Sequence, residues 1–309
     1  MDSPGASTLS VSTLDVANPF GAPIYYRETL ASTMDEARSL AGLSGNAPHG
    51  TVIAAGCQTA GRGRGGRFWN TKRGSLPFTV ILRYPGAIPP GLTLRAGLAL
   101  SLAIEDFMED FAAAAGPVRE SPVGRVQVKW PNDIMLIQKD GRGKKAAGVL
   151  AEAGFPGGSR GGVVYLGMGV NAAQREFPPE LAEKACSIAG TLYPAEKPGA
   201  ERAAYTAAYA ALEERRFILL GGILARLYAE LGIDKNAAAG QGWRERLLER
   251  LYMRGKQVRF IPGAAGSGGA VEGILKGIGG AGELLIEVNG TIRSFITGEL
   301  EVYESFKYI

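Results

Sequence analysis

The chain has 309 residues, 46% of them apolar and 21% charged, with a net charge of +4 at neutral pH. That is enough chain for one large core and a smaller second domain, and no run approaches the roughly 18 apolar residues of a membrane span. The two cysteines, Cys57 and Cys186, form neither a disulfide framework nor a metal spacing, which excludes a stapled secreted fold and points to a reducing cytoplasm.

Residues 1–23 have neither the basic start nor the apolar stretch of a signal peptide and read as a flexible leader. They lack helical periodicity and are too few for a helix-turn-helix module, so no nucleic-acid partner is expected. Residues 24–28 alternate as a strand. A helix then begins near Ser32, with Thr33 and Glu36 matching a capping box, Met34, Ala37 and Leu40 facing inward, and Gly42 and Gly45 as stops. Residues 50–57 and 75–83 read as buried strands, with Pro77 setting the start of the second at an edge or an irregular position. Residues 92–115 form a long apolar helix expected to cover one sheet face.

Residues 126–130, 134–138, 146–154 and 163–171 follow as strands. Asp140-Gly141 and the glycine-rich segment 155–162 make the last three an antiparallel meander. Residues 200–254 are helical with a break between Gly232 and Gly242. From Gly255 onward, four or five short glycine-separated strands suggest a small barrel.

Positive charge concentrates in two short clusters, 62–73 and 142–145, which suits a small polyanion better than the long stripe of a nucleic-acid binder. The first cluster lies in QTAGRGRGGRFW, residues 58–69. Glycines 61, 63, 65 and 66 permit positive φ and close backbone approach, while Arg62, Arg64 and Arg67 supply cationic forks. Taken alone the segment is an anion cradle or an RGG-like flexible tract, and its place between two apolar strands argues against disorder.

In KWPNDI, residues 129–134, a strand delivers Asn132 and Asp133 to a turn at the sheet rim. There an amide could read a base edge and a carboxylate could hold Mg2+, or the pair could be a ligand-free turn. In KKAAGVL, a lysine beside Gly148 either reaches a pocket or sits solvated at a hairpin mouth. In GMGVN, Gly167 and Gly169 share a strand face that could bed a flat ligand, although strand glycines also mark bulges. His49, the one histidine, reads as a polar turn residue.

Together and in this order, ETLASTMDEA, QTAGRGRGGRFW, KWPNDI, KAAGVL and GMGVN, followed by VEGILKGI, GELLIEVNG and FITGEL, resemble the biotin protein ligases from about Ile24 to the C-terminus. The resemblance implies an α+β protein: a class II aminoacyl-tRNA synthetase-like catalytic domain over residues 24–254, then an SH3-like β-barrel over 255–309. It implies activation of biotin with Mg2+ and ATP to biotinyl-5′-AMP, and transfer to a lysine of the biotin carboxyl carrier domain of a carboxylase, by a monomer or homodimer.

By motif, Ser32, Thr33, Met34 and Gln58 would hold biotin, with Gly61 and Gly148 beside it. Arg62, Gly63 and Arg64 would close over its carboxyl and the adenylate phosphate. Arg67 and Trp69 would serve the ATP, Trp69 at the adenine end, with Asn132 and Asn171 on the adenine. Lys129 and Asp133 would position phosphate and Mg2+, and Lys145, with Arg64, would carry the chemistry. Lys145 rather than Lys144 keeps the three-residue offset to Gly148, and Met34 stands where many members have Asn. A lipoate or octanoate transferase of the same broad fold is the alternative, weakened by the lack of a recognisable thiol motif around either cysteine.

Overall fold

The computed structural model describes residues 12–43, 47–114, 125–154, 162–193, 200–233, 242–263 and 268–301. The chain opens with β1 (Ser12–Thr13), β2 (Ile24–Leu30), α1 (Thr33–Leu43), β3 (Thr51–Gln58) and β4 (Ser75–Tyr84), followed by α2 (Leu92–Ala114). A meander of β5 (Val126–Lys129), β6 (Asp133–Ile137), β7 (Gly143–Gly154) and β8 (Gly162–Asn171) completes an eight-stranded sheet of order β1-β2-β3-β4-β8-β7-β6-β5. Among the described strand pairs of this sheet, β2 and β3 run parallel and the others antiparallel.

Short helices α3 (Pro179–Ala182) and α4 (Ile188–Leu192) lead into α5 (Ala200–Glu214), α6 (Arg216–Glu230) and α7 (Trp243–Glu249). A second, antiparallel sheet of order β12-β11-β10-β9-β13 then forms from β9 (Gln257–Pro262), β10 (Val271–Ile278), β11 (Leu284–Val288), β12 (Thr291–Phe295) and β13 (Gly298–Glu301). Asn289 and Gly290, both at positive φ, make the tight turn between β11 and β12.

Strand alternation sorts the large sheet into two cores. Val52, Ala54, Phe78, Val80 and Leu82 join the larger core, shared with α2 and α6. Ile53, Ile81 and Val163 point the other way, to Ala37 and Leu40 of α1. Because β4 is covered on both faces, it reads as one apolar run. Its pairing with β3 stops at Phe78, so Pro77 lies where that neighbour has been lost, at the irregular position its missing N–H demands.

Three readings need correction. The flexible leader does not extend through residue 23: Leu14 and Val16 pack on the core, Phe20 meets the Tyr228 ring edge-on at 5.1 Å, and Asn18 donates to the Ala22 and Gly50 carbonyls. Apolar residues spaced through 14–20 anchor it. The cap of α1 is Ser32, whose Oγ accepts from Asp35 N at 3.4 Å and whose carbonyl accepts from Glu36 N. Thr33 cannot serve because its hydroxyl is used in the buried layer below. Finally, β7 begins at Gly143, which places Lys144 and Lys145 inside the strand. The Gly45 stop, the helix end at Ala115, the connection at 155–161, positions 234–241 of the helical break and the end of the last strand at 302–303 lie outside the described residues.

Candidate active site

The cavity continues the α1 face of the sheet past the end of the helix. Cross-strand partners share a face, and along β4 and β8 these are Ile81↔Tyr165, Thr79↔Gly167 and Pro77↔Gly169. The first pair lies under α1. The next two have no side chain on the β8 side, and that opens a cavity of about 510 Å³.

At one end the chemistry is neutral. Gln58 Oε1 accepts from Thr33 N at 2.8 Å and from Thr33 Oγ1 at 3.1 Å, and Thr79 Oγ1 donates to Thr33 Oγ1 at 2.9 Å. Thr71 Oγ1 accepts from Gln58 N and donates to Gln58 O, fixing the backbone of the same residue. With Oε1 committed, the Gln58 amide nitrogen is the group available to a ligand acceptor. Met34 closes this end: a Cβ on Gly167 would lie 2.7 Å from its Sδ.

At the other end the chemistry is cationic. A bulge between Ile134 and Met135 puts Lys145 opposite Met135, and its Nζ lies 2.6 Å from Asp133 Oδ1 and 5.0 Å from the centre of the Trp69 ring. A Cβ on Gly148 would touch that same lysine at 3.3 Å, so glycine keeps the ammonium in place without crowding. Arg64 Nη1 donates to Asn132 Oδ1 at 3.2 Å, and Asn132 Nδ2 donates to the Val149 carbonyl at 2.9 Å. Burial pulls the Arg64 pKa below its ordinary value, opposed by the Asp133 charge. Lys129 is also held below the usual lysine range, first by burial. Two desolvated cations beside Lys145 favour a bound anion.

The loop between β3 and β4 folds back on itself. Arg62 and Phe68 form an antiparallel bridge, Gly63 N donates to Arg67 O at 2.7 Å and Trp69 N to Gly61 O at 2.9 Å. Gly65 and Gly66 take φ of 63° and 74°, and a Cβ on Gly61 would lie 2.6 Å from the Trp69 carbonyl, so three of the four glycines are required by geometry. The Trp69 indole rests on bare Gly169, where a Cβ would fall 2.3 Å from Nε1. The flat group on that strand is therefore the protein's own.

The cavity brings together every residue assigned by motif to biotin, ATP or Mg2+ except Gly61, which shapes the loop; Gly65, Gly66 and His49 lie outside its lining. Arg62 lines it but turns its guanidinium to Asp35, and Arg67 reaches out of it to Glu299 of β13 at 2.9 Å. Asn171 is buried and donates to the Cys186 carbonyl at 3.1 Å. Sequence reasoning missed Thr71, Thr79 and the segment after α3, where Lys184 O accepts from Lys145 N. It also missed Trp130, whose Nε1 donates to Gly282 O and whose ring meets Phe260 at 5.7 Å, tying the KWPND turn to the second sheet. Buried hydroxyls and a backbone contact across 39 positions leave no spacing signal.

Neither cysteine lines the cavity, and burial pushes the Cys186 thiol up to about 12. Among the described residues no three of His, Cys, Asp and Glu gather around a metal position, and no helix is long and apolar enough to cross a membrane.

Fold and cavity together define a class: an α+β protein with a ligand pocket that is neutral and hydrogen-bonding at one end and cationic at the other. The biotin/lipoate A/B protein ligase family model matches residues 27–171. A biotin–[acetyl-CoA-carboxylase] ligase of Paracoccus denitrificans is 33% identical over 246 residues, covering 79% of this chain and 87% of the relative. The bifunctional ligase/repressor BirA of Bacillus spizizenii is 36% identical over 172 residues, 54% of this chain and 46% of the relative, so the chain's match spans about half the length of such relatives. A solved biotin protein ligase from Aquifex aeolicus in complex with biotin and ATP has a TM-score of 0.63 at 24% identity, over 90% of this chain and 97% of that one. The shared fold is class II synthetase-like. The chain belongs to the biotin protein ligases within the biotin/lipoate A/B protein ligase family.

Proposed function

We propose that this chain activates biotin with ATP and passes it to a lysine of a carboxylase's biotin carboxyl carrier domain. The observation that carries the reading is the two-ended cavity, with the Thr33–Gln58 pair at one end and Lys145, Arg64 and Lys129 at the other. A neutral cyclic urea suits the first end, and a carboxylate meeting a nucleotide α-phosphate suits the second. The catalytic unit is residues 24–254, braced by residues 255–309.

Bringing two anions together requires cations already in place. Lys145 and Arg64 neutralise the biotin carboxylate and the α-phosphate oxygens as charge builds in the transition state. A carboxylate oxygen bonds to the α-phosphorus, the bond to the bridging oxygen breaks and pyrophosphate leaves. The acceptor amine then attacks the acyl carbon, and AMP departs with the former carboxylate oxygen. Ser32, Thr33, Met34 and Gln58 orient the ring, with Gly61 and Gly148 leaving room for the loop and lysine. Arg62, Gly63, Arg67 and Trp69 form the covering loop, while Asn132 and Asn171 stand at the nucleotide end.

One carboxylate, Asp133, suits Mg2+ that arrives on the phosphates of its substrate, which keeps most of its other ligands. Asp133 would exchange its contact with Lys145 for that ion, freeing the ammonium for phosphate. The test is transfer of labelled biotin to a carboxylase biotin domain. The expected result is label dependent on ATP and Mg2+, and no label with folded protein would refute the reading. A thiol relay for lipoate or octanoate has no supporting observation here.

A further inference from the structure

Each arginine of the 61–69 loop is tied to a different part of the fold. Arg64 meets Asn132 and Arg67 meets Glu299. Arg62 makes the most regular of the three contacts: its Nη1 and Nη2 donate to the two carboxylate oxygens of Asp35 at 2.6 and 2.7 Å. Asp35 belongs to the first turn of α1, three residues after the cap Ser32 and two after Thr33, so it is rigidly joined to the neutral end of the cavity. The carboxylate is itself braced. Arg38 Nη1 donates to Asp35 Oδ1 at 2.7 Å, Arg38 pairs with Glu152 of β7, and its guanidinium lies 5.7 Å from the centre of the Tyr165 ring.

We propose that Asp35 is a positioning residue that latches the covering loop: by holding Arg62 it pins the loop's outgoing arm to α1 and keeps the loop shut over the Ser32–Thr33 end of the cavity. The geometry favours this over a generic helix-start acid. Glu36 occupies the same turn, yet its carboxylate pairs with Arg27 of β2. The bridge and backbone hydrogen bonds of residues 61–69 join the loop's two arms to each other, Gly63 to Arg67 and Trp69 to Gly61, so its hold on α1 comes through the Arg62 side chain. A lid that stays shut matters where an acyl phosphate must wait for its acceptor without meeting water. That consequence rests on the proposed function. The latch itself does not.

The loop contains its own reporter, because trypsin cuts after Arg62, Arg64 and Arg67 only when the loop opens. Where opening is fast relative to cleavage, the cutting rate follows the open population. Loop cutting is scored relative to cutting elsewhere in the same chain, so that a general loss of fold is separated from loop opening. Asp35→Asn is expected to raise it about two- to fivefold, the scale of one exposed ion pair. Arg62→Gln should raise cutting after Arg64 and Arg67 equally, the double variant no further, and Glu36→Gln not at all. An Asp35→Asn loop cut at the wild-type ratio, or an additive double variant, would overturn the latch.

In turnover, Asp35→Asn should form more AMP per acceptor lysine modified while leaving the KM for ATP near wild type. A wild-type protein with no biotin-dependent turnover would refute the function and leave the proteolysis result to judge the latch.

Discussion

Replacing Gly169 by alanine perturbs the site through a single methyl group. A Cβ there would lie 2.3 Å from Trp69 Nε1 and 2.5 Å from Cε2, against about 3.5–4.0 Å for an ordinary contact. The indole must therefore retreat by more than about 1 Å. It has no soft route out, because Trp69 N is bonded to the Gly61 carbonyl and its ring lies under Lys145. Overpacking of this kind costs about 1–3 kcal/mol, and a misplacement of about 1 Å in positioning groups costs on the order of 10²-fold in rate.

The assay is biotin-dependent pyrophosphate exchange with ATP varied, beside a thermal melt. Gly169→Ala should lower kcat/KM for ATP by about ten- to a hundredfold. Gly167→Ala is the control: its Cβ meets the flexible end of Met34 at 2.7 Å, which can swing, so its milder effect should fall on biotin. Wild-type ATP kinetics in Gly169→Ala, or an ATP effect in Gly167→Ala, would refute the placement of Trp69 and Met34 at opposite ends.

Lys145→Ala should lower adenylation by about 10²–10³, the scale of one lost transition-state donor; a wild-type rate would remove Lys145 from the chemistry. His49 is the one histidine, so a single imidazole titration should be read by NMR, and burial holds its pKa below the ordinary 6.5. Its contribution to stability is present above pH 6.5 and lost as pH falls through the folded value, so a titration midpoint above 6.5 would contradict its packed position. The Cys186 thiol moves the opposite way, from 9.0 to about 12. Its contribution is complete below pH 9 and is lost as pH rises toward 12, so Cys186→Ala should flatten the alkaline fall in Tm; an unchanged slope would count against its burial.

Much of this was legible because periodicity and function share residues. The apolar runs of β4 and β8 announced buried strands, and the glycines of GMGVN announced the face on which the cavity lies. The Asn-Gly at 289–290 likewise marked a hairpin. What stayed hidden was decided by partners distant in sequence. Whether Ser32 or Thr33 caps α1 depends on Thr79, 46 positions after Thr33, which claims the threonine hydroxyl. Arg62 reads as a phosphate ligand until Asp35 is placed beside it. The bare Gly167–Gly169 face reads as a bed for a flat ligand until the Trp69 indole is seen resting on Gly169. The register of Lys145 depends on a bulge, which shifts which side chains share a face and carries no mark in composition.

The most direct test of the central claim is pyrophosphate exchange into ATP with the acid varied. The purified chain should incorporate labelled pyrophosphate when biotin is present, with lipoate and octanoate neither supporting exchange nor competing at equal concentration. Exchange driven by lipoate or octanoate in preference to biotin, or none with any acid from folded protein, would contradict the account.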